Sequence, residues 1–176
     1  MTMRFAPEGL PEARGLYDPA REHDACGIGL IANIGNVRSH RMIADGLLIL
    51  KNLEHRGAVG ADPKAGDGSG IMIQIPHGFF AAEARRLGFE LPPARHYGVG
   101  FLFMPREPVY RQDIERIWWE TAREEGLKIL GWRDVPVDSS VLGYSVKGTE
   151  PVHRQVFIGK GPTIRGEAHF ERKLFV

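Results

Sequence analysis

Residues 26–34 have the sequence Cys-Gly-Ile-Gly-Leu-Ile-Ala-Asn-Ile, an apolar run that is typical of a buried strand. Its first residue, Cys26, is the only cysteine in the chain, and the small residues beside it leave the sulfur reachable. A thiol becomes a good nucleophile when a base takes its proton. A backbone cut before Cys26 would supply that base, an α-amino group with a pKa of roughly 7.7–8.0, on the same residue. The alternative at this point is a small buried hydrophobic side chain.

Composition and charge narrow the classes of protein. The 176 residues are 43% hydrophobic and 26% charged, as in an ordinary globular protein, and the net charge of +1 argues against nucleic-acid binding and a polybasic membrane anchor. One cysteine excludes an intrachain disulfide and an iron–sulfur cluster held by this segment alone. The first 25 residues lack an apolar run long enough for a signal peptide or membrane span, and their mixture of Pro, Gly, Arg and Glu predicts an extended or loosely ordered leader.

Periodicity and capping signals predict a mixture of helices and strands outside the first stretch. Strands are expected over residues 71–75, 97–104, 127–135 and 151–158, and helices over residues 40–53, 79–86, 108–125 and 163–171. Ser39 is placed to cap the first helix, Asp138 begins a short capped turn, and residues 173–176 predict the start of a further strand. Because helices and strands do not alternate strictly, a layered α+β architecture is favoured over a doubly wound one.

Residues 55–63 form a glycine-flanked segment that contains two candidate functional side chains. Arg56 has a planar guanidinium that can hold a carboxylate or backbone carbonyls, and the alternative is a surface arginine on a loop. His55 is a candidate general base, but the sequence offers it no identifiable acid partner, which favours a solvated histidine.

Residues 66–70, Gly-Asp-Gly-Ser-Gly, resemble a phosphate-binding loop only in composition. They precede a predicted strand rather than a helix, so the helix N-terminus that binds phosphate is missing. A tight turn with glycines at positive φ is the better interpretation, and a nucleotide-binding module is the weaker one.

Four runs together carry a resemblance to a known family: ACGIGLIANI, HRGAVGADPKAGDGSGIMIQIPHGFF, LGWRDVPVD and EPVHRQVFIG. In this order and spacing they resemble class II glutamine amidotransferase domains, which are N-terminal-nucleophile hydrolases, and more specifically the amino-terminal end of glutamate synthase large chains. The resemblance covers nearly the whole chain from Cys26 onwards. Residues 1–25 are similar to the short propeptide of glutamate synthases, and residues 26–176 to the N-terminal part of the amidotransferase domain.

The resemblance implies a four-layer αββα fold, incomplete at the C-terminus, in which Cys26 is the first residue of the mature enzyme. Its thiol would attack the side-chain amide of glutamine and release ammonia, and water would cleave the thioester to give glutamate. Gly27 lets backbone and substrate approach the nucleophile closely. Arg56 matches the family arginine that organises the surroundings of that nucleophile.

The family's remaining site residues have no matching segment before Val176. These are the arginine for the glutamine carboxylate, the Asn-Gly oxyanion hole and the aspartate for the substrate amine, so this chain alone is expected to be inactive. No cofactor or metal is expected in this segment. The resemblance places FMN, an iron–sulfur cluster and the 2-oxoglutarate site in later regions.

The implied partners are glutamine, the other domains of the large chain and a small electron-donating subunit, in the cytoplasm and without nucleic acid or membrane. The competing hypothesis is a binding or assembly module that kept the fold but lost the chemistry.

Overall fold

The computed structural model describes residues 15, 27–54, 57, 61–66 and 68–175. The chain divides into two compact units, Met1–Gly60 with Gly66–Ile71 and Ala61–Ala65 with Met72–Val176. Within the described residues, no helix has both the length and the apolar character needed to cross a membrane.

The first unit contains helix α1, His40–Asn52, as the sequence predicts. Ser39 occupies the N-cap position with extended backbone, but its side chain makes no capping hydrogen bond. Leu47 of this helix is half exposed, whereas Ile49 and Leu53 contact the preceding segment at Gly29 and Gly27.

The two apolar runs predicted as strands, residues 26–34 and 71–75, are not strands in their described residues. Residues 27–34 pair with no other strand, and Ile28 is 94% exposed. Residues 71–75 are likewise unpaired, and Met72 is almost fully exposed. The physical reason is that a strand exists only with a partner for its N–H and C=O groups, and an apolar run cannot supply one by itself.

The second unit is built on a three-stranded antiparallel sheet in the order β1-β3-β2. The strands are β1, Tyr97–Met104, β2, Leu127–Asp134, and β3, Val152–Lys160, close to the predicted ranges. The register pairs Tyr97 with Gly159, and a bulge interrupts the pairing of β2 with β3 between Ile129 and Gly131. The antiparallel pairing confirms a mixed α+β architecture rather than a doubly wound one.

Helix α3, Pro108–Glu124, contributes to the core on one side of this sheet. It begins with proline in its first turn, and Gly126 after it has a φ of +72°, so both ends carry residues that are typical of helix ends. The core there consists of buried Ala122, Ile129, Val156 and Ile158.

Helix α4, Glu167–Leu174, corrects the prediction of a strand over residues 173–176. Leu174 packs against the core cluster and against Gly98, where an added Cβ would lie 3.0 Å from the leucine methyls. Lys173 pairs with Glu125. These contacts with distant parts of the chain hold the last residues in a helix, and the predicted start at residue 163 is also too early. Val176 lies outside the described residues.

The second core cluster consists of aromatic side chains around Phe157 and includes residues of helix α2, His77–Arg86. Phe157 is fully buried, and its ring centroid lies 5.2 Å from that of Phe80 and 5.5 Å from that of Phe89. Arg133 of β2 is 8% exposed and donates to Glu83 of α2 at 3.0 Å. This pair ties α2 to the sheet by a charge-assisted hydrogen bond.

Candidate active-site segment

The predicted nucleophile, Cys26, and the loop residues His55 and Arg56 lie outside the described residues. Gly27, the third predicted site residue after Cys26 and Arg56, is described and lies against the end of α1. A Cβ added at Gly27 would lie 3.1 Å from Leu53 Cδ2. The residue that follows Cys26 in the chain is therefore in contact with the residue that ends α1.

Gly29 makes a still closer approach to the same helix. A Cβ at this position would lie 2.4 Å from Ile49 Cγ2, a distance that real Cβ atoms do not adopt. Ile49 and Leu53 are four residues apart and share one face of the helix, so residues 27–29 lie along that face. The glycines of the Cys-Gly-Ile-Gly run thus allow the backbone to pack directly on α1.

The glycine-rich loop after α1 forms turns in its described residues. The amide of Gly57 donates to the carbonyl of Glu54 at 3.1 Å, and Gly68 has a φ of +88°, a conformation that favours glycine. No helix follows residues 68–70 before α2 begins at His77. Of the glycines expected at positive φ in residues 66–70, Gly68 has this conformation and Gly70 does not, so the turn interpretation is supported only at Gly68. The phosphate-loop interpretation lacks its helix, and Asp67 lies outside the described residues.

Asp62 is a buried carboxylate in this loop and is not among the site residues that the sequence predicts. It is 5% exposed, and its Oδ2 accepts hydrogen bonds from both the amide of Ser145, at 2.9 Å, and the hydroxyl of Ser145, at 2.7 Å. Its Oδ1 accepts from the amide of Lys64 at 3.1 Å. The only sequence signal was the Asp-Pro dipeptide of residues 62–63, which indicates a turn but no distant partner.

The hydrogen bonds to Asp62 favour its ionised form. The amide and hydroxyl of Ser145 are the largest cause, and together with the amide of Lys64 they outweigh the effect of burial and lower the pKa of Asp62 below its ordinary value. Asp62 is therefore an anion at neutral pH, anchored to a segment of chain 83 residues away.

No group of three or more His, Cys, Asp or Glu side chains converges on a possible metal position within the described part of the chain. The described residues of the segment therefore provide a packed glycine run, a turn-rich loop and one buried carboxylate.

Comparison with known proteins gives the class. The sequence model of the family described as "Glutamine amidotransferases class-II" matches residues 26–176. The chain belongs to this family, and it carries a class II glutamine amidotransferase domain with a mixed helix and strand structure and an antiparallel sheet.

The named relatives of this chain are glutamate synthases. The chain is 42% identical over 167 residues to "Glutamate synthase [NADPH] large chain" of Bacillus subtilis, covering 95% of this chain and 11% of that protein. It is 41% identical over 148 residues to "Ferredoxin-dependent glutamate synthase 2, chloroplastic" of Arabidopsis thaliana, covering 84% of this chain and 9% of that protein. "Glutamate synthase [NADH]" of Schizosaccharomyces pombe is 39% identical over 166 residues, which cover 94% of this chain and 8% of that protein. The chain spans about a tenth of the length of these relatives.

Proposed function

We propose that this chain is the glutaminase part of a glutamate synthase, in which Cys26 hydrolyses glutamine to glutamate and ammonia for transfer to 2-oxoglutarate. The observation that carries the proposal is the family match, which begins at residue 26, where the only cysteine of the chain stands. Relatives that are 39–42% identical and are named glutamate synthases support the particular enzyme.

The proposed reaction uses Cys26 as both nucleophile and base. Its free α-amino group, with a pKa of roughly 7.7–8.0, takes the thiol proton at neutral pH. The thiolate attacks the side-chain amide carbon of glutamine, the carbon–nitrogen bond breaks, and the ammonium group returns its proton to the departing ammonia. Water then cleaves the γ-glutamyl thioester, which releases glutamate and restores the thiol.

The contact of Gly27 with Leu53 supports a position for Arg56 near the nucleophile. Cys26 is one residue from Gly27, and Arg56 is three residues from Leu53. Three residues of extended chain span at most roughly 10–11 Å, so covalent geometry keeps the backbone of Arg56 within that distance of the end of α1. We assign Arg56 the role of fixing backbone or thiol geometry through its several donors.

We assign residues 1–25 to a leader that is removed, and residues 26–176 to the N-terminal part of a four-layer αββα domain. The groups that bind the substrate carboxylate and amine and the oxyanion hole belong to segments beyond Val176. One oxyanion-hole donor is worth roughly 10²–10³ in rate, so the chain alone is expected to lack glutaminase activity.

Cofactors and partners of the full-length protein follow from the same assignment. An iron–sulfur cluster needs several thiolates and this chain has one cysteine, so we place the cluster, together with FMN, in later domains. We propose glutamine as substrate, the remaining domains of the large chain and a small electron-donating subunit as partners, and the cytoplasm as the location.

Replacement of the nucleophile tests the proposal. Cys26→Ala in the full-length protein is expected to abolish glutamine-dependent glutamate synthesis and to retain ammonia-dependent synthesis, because the thiol serves only the release of ammonia. Intact-mass analysis of the wild-type protein should show the loss of residues 1–25. Full glutamine-dependent activity of Cys26→Ala would instead favour a module without this chemistry. Full activity of a protein that keeps Met1 would refute the exposure of Cys26 as the first residue.

Replacement of Arg56 tests its assigned role. We expect Arg56→Ala and Arg56→Lys to lower the rate of glutamine hydrolysis, by up to about 10²-fold if the nucleophile moves by about 1 Å, because a single ammonium cannot reproduce the guanidinium fork. Arg41→Ala is the matched control, since its side chain on α1 is 87% exposed and only 3.7 Å from Asp45 as a surface pair. If both Arg56 variants behave like Arg41→Ala, Arg56 is an ordinary loop residue.

A further inference from the structure

We propose that the groove between helices α3 and α4 of the second unit binds a free α-amino acid with an apolar side chain. The groove has a volume of about 260 Å³, and all of its lining residues belong to the second unit. They are other residues than those assigned to glutamine hydrolysis, so the ligand of the groove follows from its own chemistry and not from the proposed function.

The inner surface of the groove is apolar. The most deeply buried of its lining residues are Ala122 and Ile158, which are 5% and 7% exposed, and Trp118, Leu127 and Leu174 pack against them. An apolar group that displaces water from such a surface gains free energy, whereas a polar group would lose its hydrogen bonds to water there. The part of the ligand that enters the groove is therefore apolar.

The size of the groove suits a small ligand. Sites for drug-sized molecules measure roughly 300–1,000 Å³, and this groove, at about 260 Å³, lies just below that range. Ile117 is 52% exposed and Thr121 is also exposed, so the groove opens to solvent along α3. A molecule of the size of one amino acid can therefore enter it from this side.

Two opposite charges stand where both helices end. Lys173, in the last turn of α4, pairs with Glu125, which follows the last residue of α3. Both side chains line the groove, and they are 33% and 25% exposed. An α-amino acid carries an ammonium and a carboxylate on the same carbon. Its ammonium can therefore pair with Glu125 while its carboxylate pairs with Lys173.

The helix ends favour the same orientation of the ligand. The last carbonyl groups of a helix carry a partial negative charge, which stabilises a cation placed beside them. Helix α3 has 17 residues and ends at Glu124, directly before Glu125. The ammonium of the ligand is thus favoured on the α3 side of the groove, and the end of α4 stabilises Lys173 in the same way.

Binding replaces one ion pair by two. Glu125 and Lys173 each keep a charged partner when the ammonium and carboxylate of the ligand take the places of their present partners, so neither charge is left uncompensated. The net gain then comes from burial of the apolar side chain. A ligand with only one of the two charges would leave Glu125 or Lys173 without a counter-charge. The groove therefore selects for both charges together with an apolar side chain.

Isothermal titration calorimetry of the full-length protein with L-phenylalanine tests the site. We expect phenylpropionate, which lacks the ammonium, and phenylethylamine, which lacks the carboxylate, to bind at least about 10-fold more weakly. L-Alanine, which lacks the ring, should also bind at least about 10-fold more weakly. An excess of L-glutamine should not displace L-phenylalanine, because the side chain of glutamine ends in a polar amide.

Three variants locate the site. Lys173→Met and Glu125→Gln each remove one charge with little change of shape, and we expect each to weaken the binding of L-phenylalanine by at least about 10-fold. Thr121→Phe fills the groove from its exposed side and should abolish binding. None of the three side chains is buried, so the fold tolerates these changes, which circular dichroism checks. Lys160→Met is the matched control, because Lys160 makes the same kind of pair with Glu167 at the other end of α4.

Four results would overturn the proposal. The first is the absence of L-phenylalanine binding to the full-length protein up to about 10 mM. The second is wild-type binding by Lys173→Met and Thr121→Phe, and the third is an equal weakening by Lys160→Met, which would indicate a general loosening of α4. The fourth is displacement by L-glutamine, which would place L-phenylalanine in the glutamine site and leave the proposed function intact.

Discussion

Truncation of Phe157 to alanine is expected to be among the most destabilising single changes in the second unit. Phe157 is fully buried on the central strand β3, which pairs with both β1 and β2. Its ring meets three others, with centroid distances of 5.2 Å to Phe80, 5.5 Å to Phe89 and 6.4 Å to Tyr97.

The size of the expected loss of stability follows from the burial of Phe157 and from the rigidity of its strand. Phenylalanine to alanine in a core costs about 3–5 kcal/mol, and the value depends on how far the site can collapse. A central strand held on both edges cannot move to fill the cavity, and each lost aromatic pair contributes about 0.5–1.5 kcal/mol beyond area. We therefore expect Phe157→Ala to lower the free energy of unfolding by about 4–5 kcal/mol. Phe157→Leu fills part of the cavity and should cost about 1–2 kcal/mol.

Urea unfolding followed by far-UV circular dichroism and by tryptophan fluorescence measures the change, and coincident transitions establish that two-state values apply. Phe103→Ala is the control, because Phe103 on β1 is 70% exposed and should cost below about 1 kcal/mol. If Phe157→Ala does not unfold at lower urea than Phe103→Ala, or if Phe157→Leu equals the wild type, the aromatic cluster does not support the sheet. Phe157→Leu keeps the test valid if the alanine variant does not fold.

Two further predictions concern helix α2 and the bulge in β2. Hydrogen bonds from Arg86 and Arg133 lower the pKa of Glu83 from 4.5 to about 2, so its stabilising effect is present above its unfolded pKa and is lost as the pH falls towards about 2. Urea midpoints measured across that range should fall less for Glu83→Gln than for the wild type, and parallel pH profiles would contradict the assignment. Gly131→Ala would place a Cβ 2.5 Å from the Phe89 ring and should cost about 1–3 kcal/mol in the free energy of unfolding. Gly78→Ala, in α2 with nothing within 4 Å, should instead stabilise by up to about 1 kcal/mol, and equal thermal melting of the two variants would refute the steric argument.

The elements that the sequence predicts well are those with local signals at both ends. Helix α3 has Pro108 in its first turn and Gly126 after its end, and each signal acts within a few residues. The strand over residues 97–104 is recovered as predicted, with Phe101 and Phe103 on one side and their ring centroids 5.3 Å apart.

The elements that the sequence predicts wrongly depend on distant partners. Residues 27–34 and 71–75 have the composition of buried strands, but composition does not supply the neighbouring strand whose hydrogen bonds define one. Residues 173 and 174 show the opposite error. They resemble the start of a strand in sequence, but the contacts of Leu174 with Gly98 and of Lys173 with Glu125 place them in helix α4. Both errors follow from tertiary contacts that override local preference.

The residues of the candidate site also differ in whether the sequence alone identifies them. Cys26 and Arg56 are identifiable because their types and spacing carry the resemblance, whereas Asp62 is recognisable only when its partner, Ser145, is known. A buried carboxylate needs donors, and here the two principal donors lie 83 residues further along the chain.

The glycines show why the contact between Asp62 and Ser145 cannot be predicted from the sequence. Abundant glycine predicts turns, and Gly68 and Gly126 fulfil that prediction with positive φ angles. Gly29 and Gly143 have no positive φ, and each is required because an added Cβ would lie 2.4 Å from Ile49 or 2.3 Å from Asp62. The sequence cannot distinguish a glycine that turns the chain from one that leaves room for another segment. Because the second kind marks contacts between distant segments, alanine substitution at Gly143 tests the contact between Asp62 and Ser145 independently of any change to the carboxylate.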